Sequence, residues 1–524
     1  MPHGGLVMAE RLIEELLDPG AYPERPTEVT LCQTHISYLF LTAKYVYKIK
    51  KPVDFGFLDF TTLDKRLLYC TEEVRLNRRL APDIYLGVVP VALKNSKATM
   101  EAQGSPIEWA VKMRRLDEAS ILSNILSSGT IPEEAIVRIG HAIAEFHKTA
   151  FSNPRISGFG SPEVISRNTT ENFSQTERYV GRAVSKEAFD IMRSYTERFI
   201  SSNSRIFLER ASSGYVRDCH GDLHCDHISI GDGIEIFDCI EFNERFRYSD
   251  VVADIAFLSM DLDFRNRPDL AKVLDDAYFA STNDTDGRRL MDFYKCYRAL
   301  IRAKVDCLKS EETEVPAQER LNAFLSARVH FRLAREYSEG GLKPLLIISS
   351  GLSGTGKTTL SRAIASATGA VVISSDMVRK ELAGISPQTH CVNGYGEGIY
   401  SPELSARTYA EIISRAKTLL EKKRTVILDA TFLRNSSIAA ALTAAKEVGA
   451  DTRIIRCVCP EEIIRENILK RESQVQQGGA SDAGWEVYLR QKGSLENIAE
   501  DHLVVDTSIG IEGSLRYIFE KIFD

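Results

Sequence analysis

Two groups of residues in this chain have the types and spacing to handle phosphate. The first is Gly351-x-x-x-x-Gly356-Lys357-Thr358, in full Gly351, Leu352, Ser353, Gly354, Thr355, Gly356, Lys357, Thr358 and Thr359. A glycine-rich turn between a strand and a helix points its backbone amides at phosphate oxygens, and the helix N-terminus adds positive potential. Lys357 then reaches the terminal phosphates and the Thr358 hydroxyl ligates Mg²⁺. Asp376 and Arg379 follow the apolar run AVVISS. A carboxylate at that end of a parallel strand can accept the proton of an incoming hydroxyl. An arginine three residues on shares its helical face and can hold the acceptor or a phosphate. Asp429 ends the buried run in TVILDATF, where an acidic residue can orient a metal's water shell. Arg465 and Arg471 lie six apart ahead of the Gly-rich QVQQGGASDAG, the pattern of a lid whose arginines stabilise transferring phosphate.

The second group begins with His220-Gly221-Asp222 and continues to Asp238, sixteen residues after Asp222, at the lips of an expected short hairpin. Of two such carboxylates, one works near the incoming hydroxyl as base or orienting group, and the other bridges Mg²⁺ on ATP phosphates. Upstream, YVYKIKKP puts Lys48 and Lys50 on one strand face, and Glu73 sits inside the helical pattern around TEEVRLNRR.

These groups need two different scaffolds. From Leu345, short apolar runs alternate with helical segments: LLIISS, TLSRAIASATG, AVVISS, TVILDATF, IAAALTAAKEVG and TRIIRCVCP. That order requires crossover connections and a parallel sheet covered on both faces. The helical pattern before it stops at Gly340, Gly341 and Pro344. The first part opens with the strand-like TEVTLCQ, SYLFLTA and YVYKIKKP, then a helix around LDKRLLYCTEEVRLNRRLA and strands in YLGVVPVALK and IEWAVKM. Beyond Met113 it is mainly helical, broken by a loop-rich piece from Cys219 to Asp250. A helical N-terminal extension is expected over 1–24, a first domain of two lobes over 25–340 and a second domain over 344–524.

Composition narrows the partners. The 524 residues carry 66 basic and 73 acidic side chains, and 66 − 73 gives −7. Residues 345–524 hold 21 basic and 22 acidic residues, net −1, so the first part carries the remaining −6. That charge would steer a cationic substrate, although scattered surface acid explains it equally. Nucleic acid is not favoured by this balance, although the cluster Lys48-Ile49-Lys50-Lys51 could touch a phosphate backbone. Hydrophobic residues make up 44%, and 33 Gly plus 17 Pro give 50, which excludes collagen-like or low-complexity chains. Apolar stretches such as Leu345–Ile348 are far short of the roughly 18 residues of a membrane span. The N-terminus lacks a secretory pattern, so the cytoplasm is the expected location. The ten cysteines are irregularly spaced, and Cys457 and Cys459 read as core.

The phosphate loop, with Asp376-x-x-Arg379, resembles the P-loop small kinases of the gluconate-kinase, zeta-toxin and polynucleotide-5′-kinase group, over residues 345–524. The D-x-x-R pattern is similar to the substrate carboxylate and arginine of polynucleotide kinases. Lys48, Glu73, the His220-Gly221-Asp222 motif and Asp238 together resemble the aminoglycoside-phosphotransferase branch of the protein-kinase-like fold, over residues 25–340. This resemblance implies Lys48 as the phosphate-pairing lysine, Glu73 as its helix partner, Asp222 as the catalytic carboxylate and Asp238 as the metal carboxylate. It also implies a hinge beside adenine at Trp109–Met113, an acidic helix carrying Asp250 and Asp254, and a structural role for His147. Where that branch has a metal-binding Asn, five residues after Asp222, this chain has His227, and imidazole is a poor ligand for hard Mg²⁺. The loop Thr34-His35-Ile36-Ser37 lacks the glycines that let a backbone close over phosphates.

The whole order is similar to bacterial fused proteins that join the two kinds of domain. The fold class implied is multidomain: an α+β protein-kinase-like two-lobed domain, then an α/β P-loop NTPase domain with a parallel sheet. The activity implied is an ATP- and Mg²⁺-dependent phosphotransferase with an alcohol group as acceptor: a sugar, aminoglycoside, nucleoside or 5′-hydroxyl RNA or DNA end. Two other arrangements stay open. In one the kinase-like domain is the catalyst and the P-loop domain a regulatory ATPase. In the other the chain is a nucleotide-switched RNA-binding module.

Overall fold

The computed structural model describes residues 11–386, 398–475 and 484–523, with backbone alone for 471–475. They form two compact units. The first takes in the chain up to Ile165, then Ser202–Leu258 and Val273–Arg289; the second takes Ser166–Ser201, Ser259–Lys272 and the chain from Leu290.

Side-chain alternation builds the first unit. Six antiparallel strands, β1 (Thr30–Gln33), β2 (Ser37–Leu41), β3 (Tyr45–Lys50), β4 (Tyr85–Lys94), β5 (Lys97–Met100) and β6 (Pro106–Arg114), lie in the order β1-β2-β3-β6-β4-β5. Tyr47 and Ile49 of β3 enter a core with Phe40, Val91, Met100 and Ala110. The opposite face carries Val46, and with it Lys48 and Lys50, toward Val111, Met113, Cys70 and Val74. Cys70 and Val74 belong to the helix Leu63–Asn77, whose first turn is capped by the Thr62 side chain accepting from the Lys65 amide at 3.2 Å. Glu73 is buried on the same helix. The hinge expected at Trp109–Met113 is instead the interior of β6: Val111 pairs with Lys48, and the chain leaves the sheet only after Arg114. The reason is that this stretch pairs with β3 on one side and β4 on the other, with Glu108, Ala110, Val111 and Met113 buried. The loop-rich piece holds two small antiparallel pairs, β7 (Val216–Asp218) with β10 (Tyr248–Asp250) and the hairpin β8 (Ile228–Ile230) with β9 (Ile234–Ile236).

The second unit contains the expected parallel sheet. Its strands β11 (Leu345–Ser350), β12 (Val371–Ser374), β13 (Val426–Asp429), β14 (Asp451–Val458) and β15 (Leu503–Asp506) lie in the order β12-β13-β11-β14-β15. Leu345 and Ile347 face one core with Leu360, Ile364, Ile455 and Phe519, while Leu346 and Ile348 face another with Val378, Ile412, Leu428 and Ile438. Burying each such side chain stabilises by about 1.5–3 kcal/mol, which explains why the central strand is apolar throughout. Leu321, Leu325 and Val329, from the helix Ala317–Ser338, join the first of these cores. The texture change near residue 340 therefore marks the start of the sheet, while the unit around it recruits earlier helices. Asn266 adds a polar tie, donating to the carbonyls of Gly369 at 2.9 Å and Thr425 at 3.0 Å. Among the described residues no helix is long and apolar enough to cross a membrane.

Candidate active sites

In the second unit the order of strands brings the phosphate-loop residues together. Asp429 is in register with Ser349 of β11 on one side and Ser374 of β12 on the other. Two residues beyond those partners come Gly351 and Asp376, so loop, Asp429 and Asp376 share the carboxyl edge of three adjacent strands. Gly356 caps the helix Lys357–Thr368 in a left-handed conformation, φ 79°. Gly354, at φ 87°, is hemmed in: a Cβ there would stand 2.8 Å from Ile464 Cγ2. Thr355 closes the turn by donating to the Leu352 carbonyl at 2.8 Å. Lys357 and Thr358 are half-buried in the helix's first turn and Thr359 is exposed.

Thr358 Oγ1 donates to Asp429 Oδ2 at 2.8 Å. The other carboxylate oxygen, Oδ1, is buried without a hydrogen-bond partner among the described residues. Burial pushes the Asp429 carboxyl above its usual range, against the opposing pull of Lys357 and the Thr358 hydrogen bond. An orphaned carboxylate oxygen beside a hydroxyl is an all-oxygen donor set that fits a hard cation such as Mg²⁺.

Asp376 opens the helix Ser375–Leu382 with its side chain 52% exposed, and Arg379 Nη1 bonds its Oδ1 at 3.2 Å. Arg379 is buried, stands over the Tyr400 ring at 4.8 Å, and keeps an Nε without a hydrogen-bond partner among the described residues. Two further helices rest on the loop. From Glu461–Val475, Ile464 and Ile468 pack on Leu352, and Asn467 Nδ2 donates to the Gly354 carbonyl at 3.0 Å. From Trp485–Ser494, Gln491 Oε1 accepts from the Ser353 amide at 3.0 Å. Arg465 lies over the Trp485 ring at 5.6 Å, so the structure places its guanidinium on an aromatic face. The Arg471 side chain and residues 476–483 lie outside the described residues. Asn467 and Gln491 were not singled out in the sequence, because a polar residue on an amphipathic helix carries no mark of what it will meet.

In the first unit Lys48 Nζ stands 2.8 Å from Glu73 Oε1 and 2.8 Å from Asp238 Oδ1. Lys50 Nζ reaches Glu73 Oε2 at 2.7 Å and also bonds Glu241. Glu73 is thus shared by two lysines. Burial alone would lower both lysines, but the surrounding carboxylates outweigh it and raise them, so both stay charged. Glu241 is held above its usual range by burial, with Glu73 adding to it against the pull of Lys50. Glu241 was missed, although its place three residues after Asp238 was a visible signal.

The HGD loop is held by its backbone. Asp254 accepts from the amides of His220 at 2.9 Å and Gly221 at 2.8 Å, and from His147 Nε2 at 3.2 Å; His147 Nδ1 accepts from Tyr278 Oη at 2.9 Å. Gly221 is left-handed, φ 89°, and a Cβ there would stand 2.9 Å from the Phe246 carbonyl. Arg79 donates to the carbonyls of Asp218 at 2.7 Å and Cys219 at 3.0 Å. Asp250 ends β10 directly before the helix Val251–Phe264 that carries Asp254, and it accepts from Nε and Nη2 of the buried Arg210, whose Nη1 and Nη2 also reach Asp284. Asp222 is part-exposed, and Asp238 sits at φ 61°, a strained conformation for a non-glycine residue. The Thr34–Ser37 turn is closed on itself, the Thr34 amide donating to the Ser37 carbonyl at 2.9 Å.

His227 Nδ1 donates to the Asp222 carbonyl at 2.9 Å, and its Nε2 faces Asp238 Oδ2 at 3.5 Å. Burial, with His224 adding to it, holds the His227 imidazole below its usual range and so neutral at pH 7. A set of Asp222, His227 and Asp238 with a second imidazole beside it, and with one Asp238 oxygen already bonded to Lys48, does not fit Mg²⁺.

Residues 59–294 match the phosphotransferase enzyme family, and residues 346–498 match an AAA domain. The uncharacterized protein Rv2004c of Mycobacterium tuberculosis is 31% identical over 456 residues, covering 87% of this chain and 88% of that protein. A Mycobacterium bovis protein, Mb2027c, shows the same identity and coverage. Among solved structures, a choline/ethanolamine kinase family protein from Mesorhizobium loti is 12% identical, covering 63% of this chain and 99% of its own, with TM-score 0.37. Aminoglycoside 2′-phosphotransferase-IIIa is 14% identical, covering 62% and 98%, with TM-score 0.36. A gluconokinase from Sinorhizobium meliloti is 17% identical, covering 34% and 90%, with TM-score 0.24. The chain carries a kinase-like phosphotransferase domain followed by a P-loop kinase-like domain. It belongs to the same family as the two mycobacterial proteins, and its two domains support a phosphotransfer function.

Proposed function

We propose that the P-loop domain is an ATP-dependent kinase that moves the γ-phosphoryl group to the hydroxyl of a small molecule or a nucleic-acid end. The observation that carries this reading is the shared strand edge, where the glycine loop, the Thr358–Asp429 pair and the Asp376–Arg379 pair stand side by side. The loop amides and Lys357 would bind the β- and γ-phosphates. Thr358 and Asp429 would hold Mg²⁺, which when bound neutralises charge on the phosphates. Arg379, whose buried Nε has no hydrogen-bond partner among the described residues, would grip the acceptor, and Asp376, exposed beside it, would take the proton of the acceptor hydroxyl. The acceptor oxygen then bonds to the γ-phosphorus as the bond to the β-γ bridging oxygen breaks, leaving ADP. The proton passes from Asp376 to water.

A second reading is favoured by the formed Lys48–Glu73 pair: the first unit is itself a kinase, with Asp222 as its catalytic carboxylate and the P-loop domain as an ATP-dependent regulator. One assay separates the two. Full-length chain is incubated with labelled ATP and pools of sugars, aminoglycosides, nucleosides and 5′-hydroxyl oligonucleotides, as wild type, Asp376→Asn and Asp222→Asn. The first reading expects labelled product to fall at least a hundredfold in Asp376→Asn alone. Loss in Asp222→Asn alone transfers the chemistry to the first unit. Free phosphate as the sole product in every pool would reject both and leave a nucleotide switch.

A further inference from the structure

We propose that the second unit carries a binding site for a small phosphate-bearing metabolite, in a basic pocket that contains none of the phosphate-loop residues. This goes beyond the kinase reading and holds whichever domain transfers phosphate.

Three segments of that unit line the pocket: the helix Ala317–Ser338, the helix Ile511–Ile522 and the turn before the helix Lys186–Ser202. Arg320, Phe324 and Arg328 recur every four residues, so one face of the first helix is turned to it. Its volume of about 550 Å³ falls within the roughly 300–1,000 Å³ of small-molecule sites. Charge decides what it can hold. Five cations, Arg182, Arg320, Arg328, Arg516 and Lys521, line it against two carboxylates, 5 − 2 giving +3 in a chain of net −7. One of those carboxylates, Glu311, is already taken by Arg178 and Arg182, and the other, Glu520, is exposed. Among the described residues no carboxylate pairs with Arg320, Arg516 or Lys521. Arg320 Nε is moreover buried without a hydrogen-bond partner among the described residues, and such a donor on a charged group costs free energy until an acceptor meets it.

The arginines are held in place by the protein itself. Arg328 is buried and donates to the carbonyls of Phe519 at 2.7 Å, Arg182 at 3.0 Å and Glu520 at 3.2 Å. Arg516 lies over the Phe324 ring at 5.2 Å, which leaves its in-plane N–H groups for an acceptor. Ser185 accepts from the Ala188 amide at 3.1 Å and so caps the helix Lys186–Ser202, whose positive end borders the pocket. Planar guanidinium forks match the oxygens of a phosphate, and several of them around one pocket call for a ligand with many acceptor oxygens. A phosphate ester supplies these better than a single carboxylate does.

The test uses full-length protein with a non-hydrolysable ATP analogue and Mg²⁺ present, so that the phosphate loop is filled. Calorimetry follows three probes: fructose 1,6-bisphosphate, inorganic phosphate and uncharged fructose. The bisphosphate should bind once per chain, phosphate more weakly and fructose not at all. Loss of one charge-assisted hydrogen bond should weaken the bisphosphate about tenfold or more, both in Arg320→Gln and in the exposed Arg516→Gln. Lys357→Ala should leave that affinity unchanged. Should neither arginine variant fold, slower hydrogen exchange along the helix Ile511–Ile522 of wild type on adding the bisphosphate decides the matter. Failure of the ATP analogue to bind would count against the P-loop reading, while the arginine variants would still test this pocket. No binding of the bisphosphate, equal affinity for phosphate or fructose, binding that survives both arginine changes, or a loss in Lys357→Ala would each overturn the proposal.

Discussion

Replacing Lys50 with Met tests whether the first unit depends on one lysine shared between two carboxylates. Lys50 Nζ stands 2.7 Å from Glu73 Oε2, and the side-chain exposures of Lys50, Glu73 and Glu241 are 0%, 0% and 5%. At an effective dielectric of about 20, one such contact is worth about 6 kcal/mol of Coulomb energy, most of it offset by desolvation. Removing the cation leaves Glu73 and Glu241 facing each other with Lys48 as their one cation, and stranding buried charge typically costs about 3–5 kcal/mol. Met keeps the volume, so cavity formation adds little. The pair Lys186–Asp190, also at 2.7 Å but with side chains 76% and 48% exposed, is the control, and Lys186→Ala should cost no more than about 0.5 kcal/mol. The double change Lys50→Met/Glu241→Gln removes a carboxylate together with its cation and should recover at least half of the loss. Two-state unfolding does not suit a chain of two units, so the measurement is native-state hydrogen exchange at the amides of β3. A Lys50→Met effect within 1 kcal/mol of wild type, or a double variant no better than the single one, would refute the shared-lysine account.

Other perturbations follow from single contacts. Gly354→Ala puts a methyl group 2.8 Å from Ile464 Cγ2 at φ 87°, so strain of about 1–3 kcal/mol should lower ATP affinity about tenfold or more, read by calorimetry. Asp254→Asn turns one of two acceptors for the His220 and Gly221 amides into a donor. It should cost about 2–3 kcal/mol and release exchange protection at residues 220–221. Asp306 is pushed up by burial, but hydrogen bonds from His330 at 3.0 Å and Ser326 at 2.6 Å outweigh that and hold it below its usual range. The folded state therefore binds fewer protons here than the unfolded state. The resulting stability is present above about pH 3.9 and is lost as pH falls further. Asp306→Asn should flatten the fall below pH 4 of the stability read by native-state hydrogen exchange at the helix Ala317–Ser338, and equal slopes would contradict the assignment.

What could be read in the sequence was local. The glycine loop, its flanking strand and helix, and the alternation of strands with helices are set by residues within a few positions of each other, and the parallel sheet follows from them. Strand and helix periodicities placed Lys48 on one strand face and Glu73 inside a helix, but their pairing was legible only through the resemblance to the aminoglycoside-phosphotransferase branch. The partnership of Lys50 with Glu241 joins residues 191 apart, which no periodicity encodes. The edge strand β15 follows a polar stretch and has a single buried residue, Val505, too little alternation to mark it.

The most direct test is a crystal structure of the full-length protein with a non-hydrolysable ATP analogue and Mg²⁺. The account predicts the β- and γ-phosphates held by the amides of residues 354–358 and by Lys357, with the metal beside Thr358 and Asp429 and the γ-phosphate turned toward Asp376. An empty loop in crystals whose analogue is bound elsewhere, or a γ-phosphate facing away from Asp376, would contradict it.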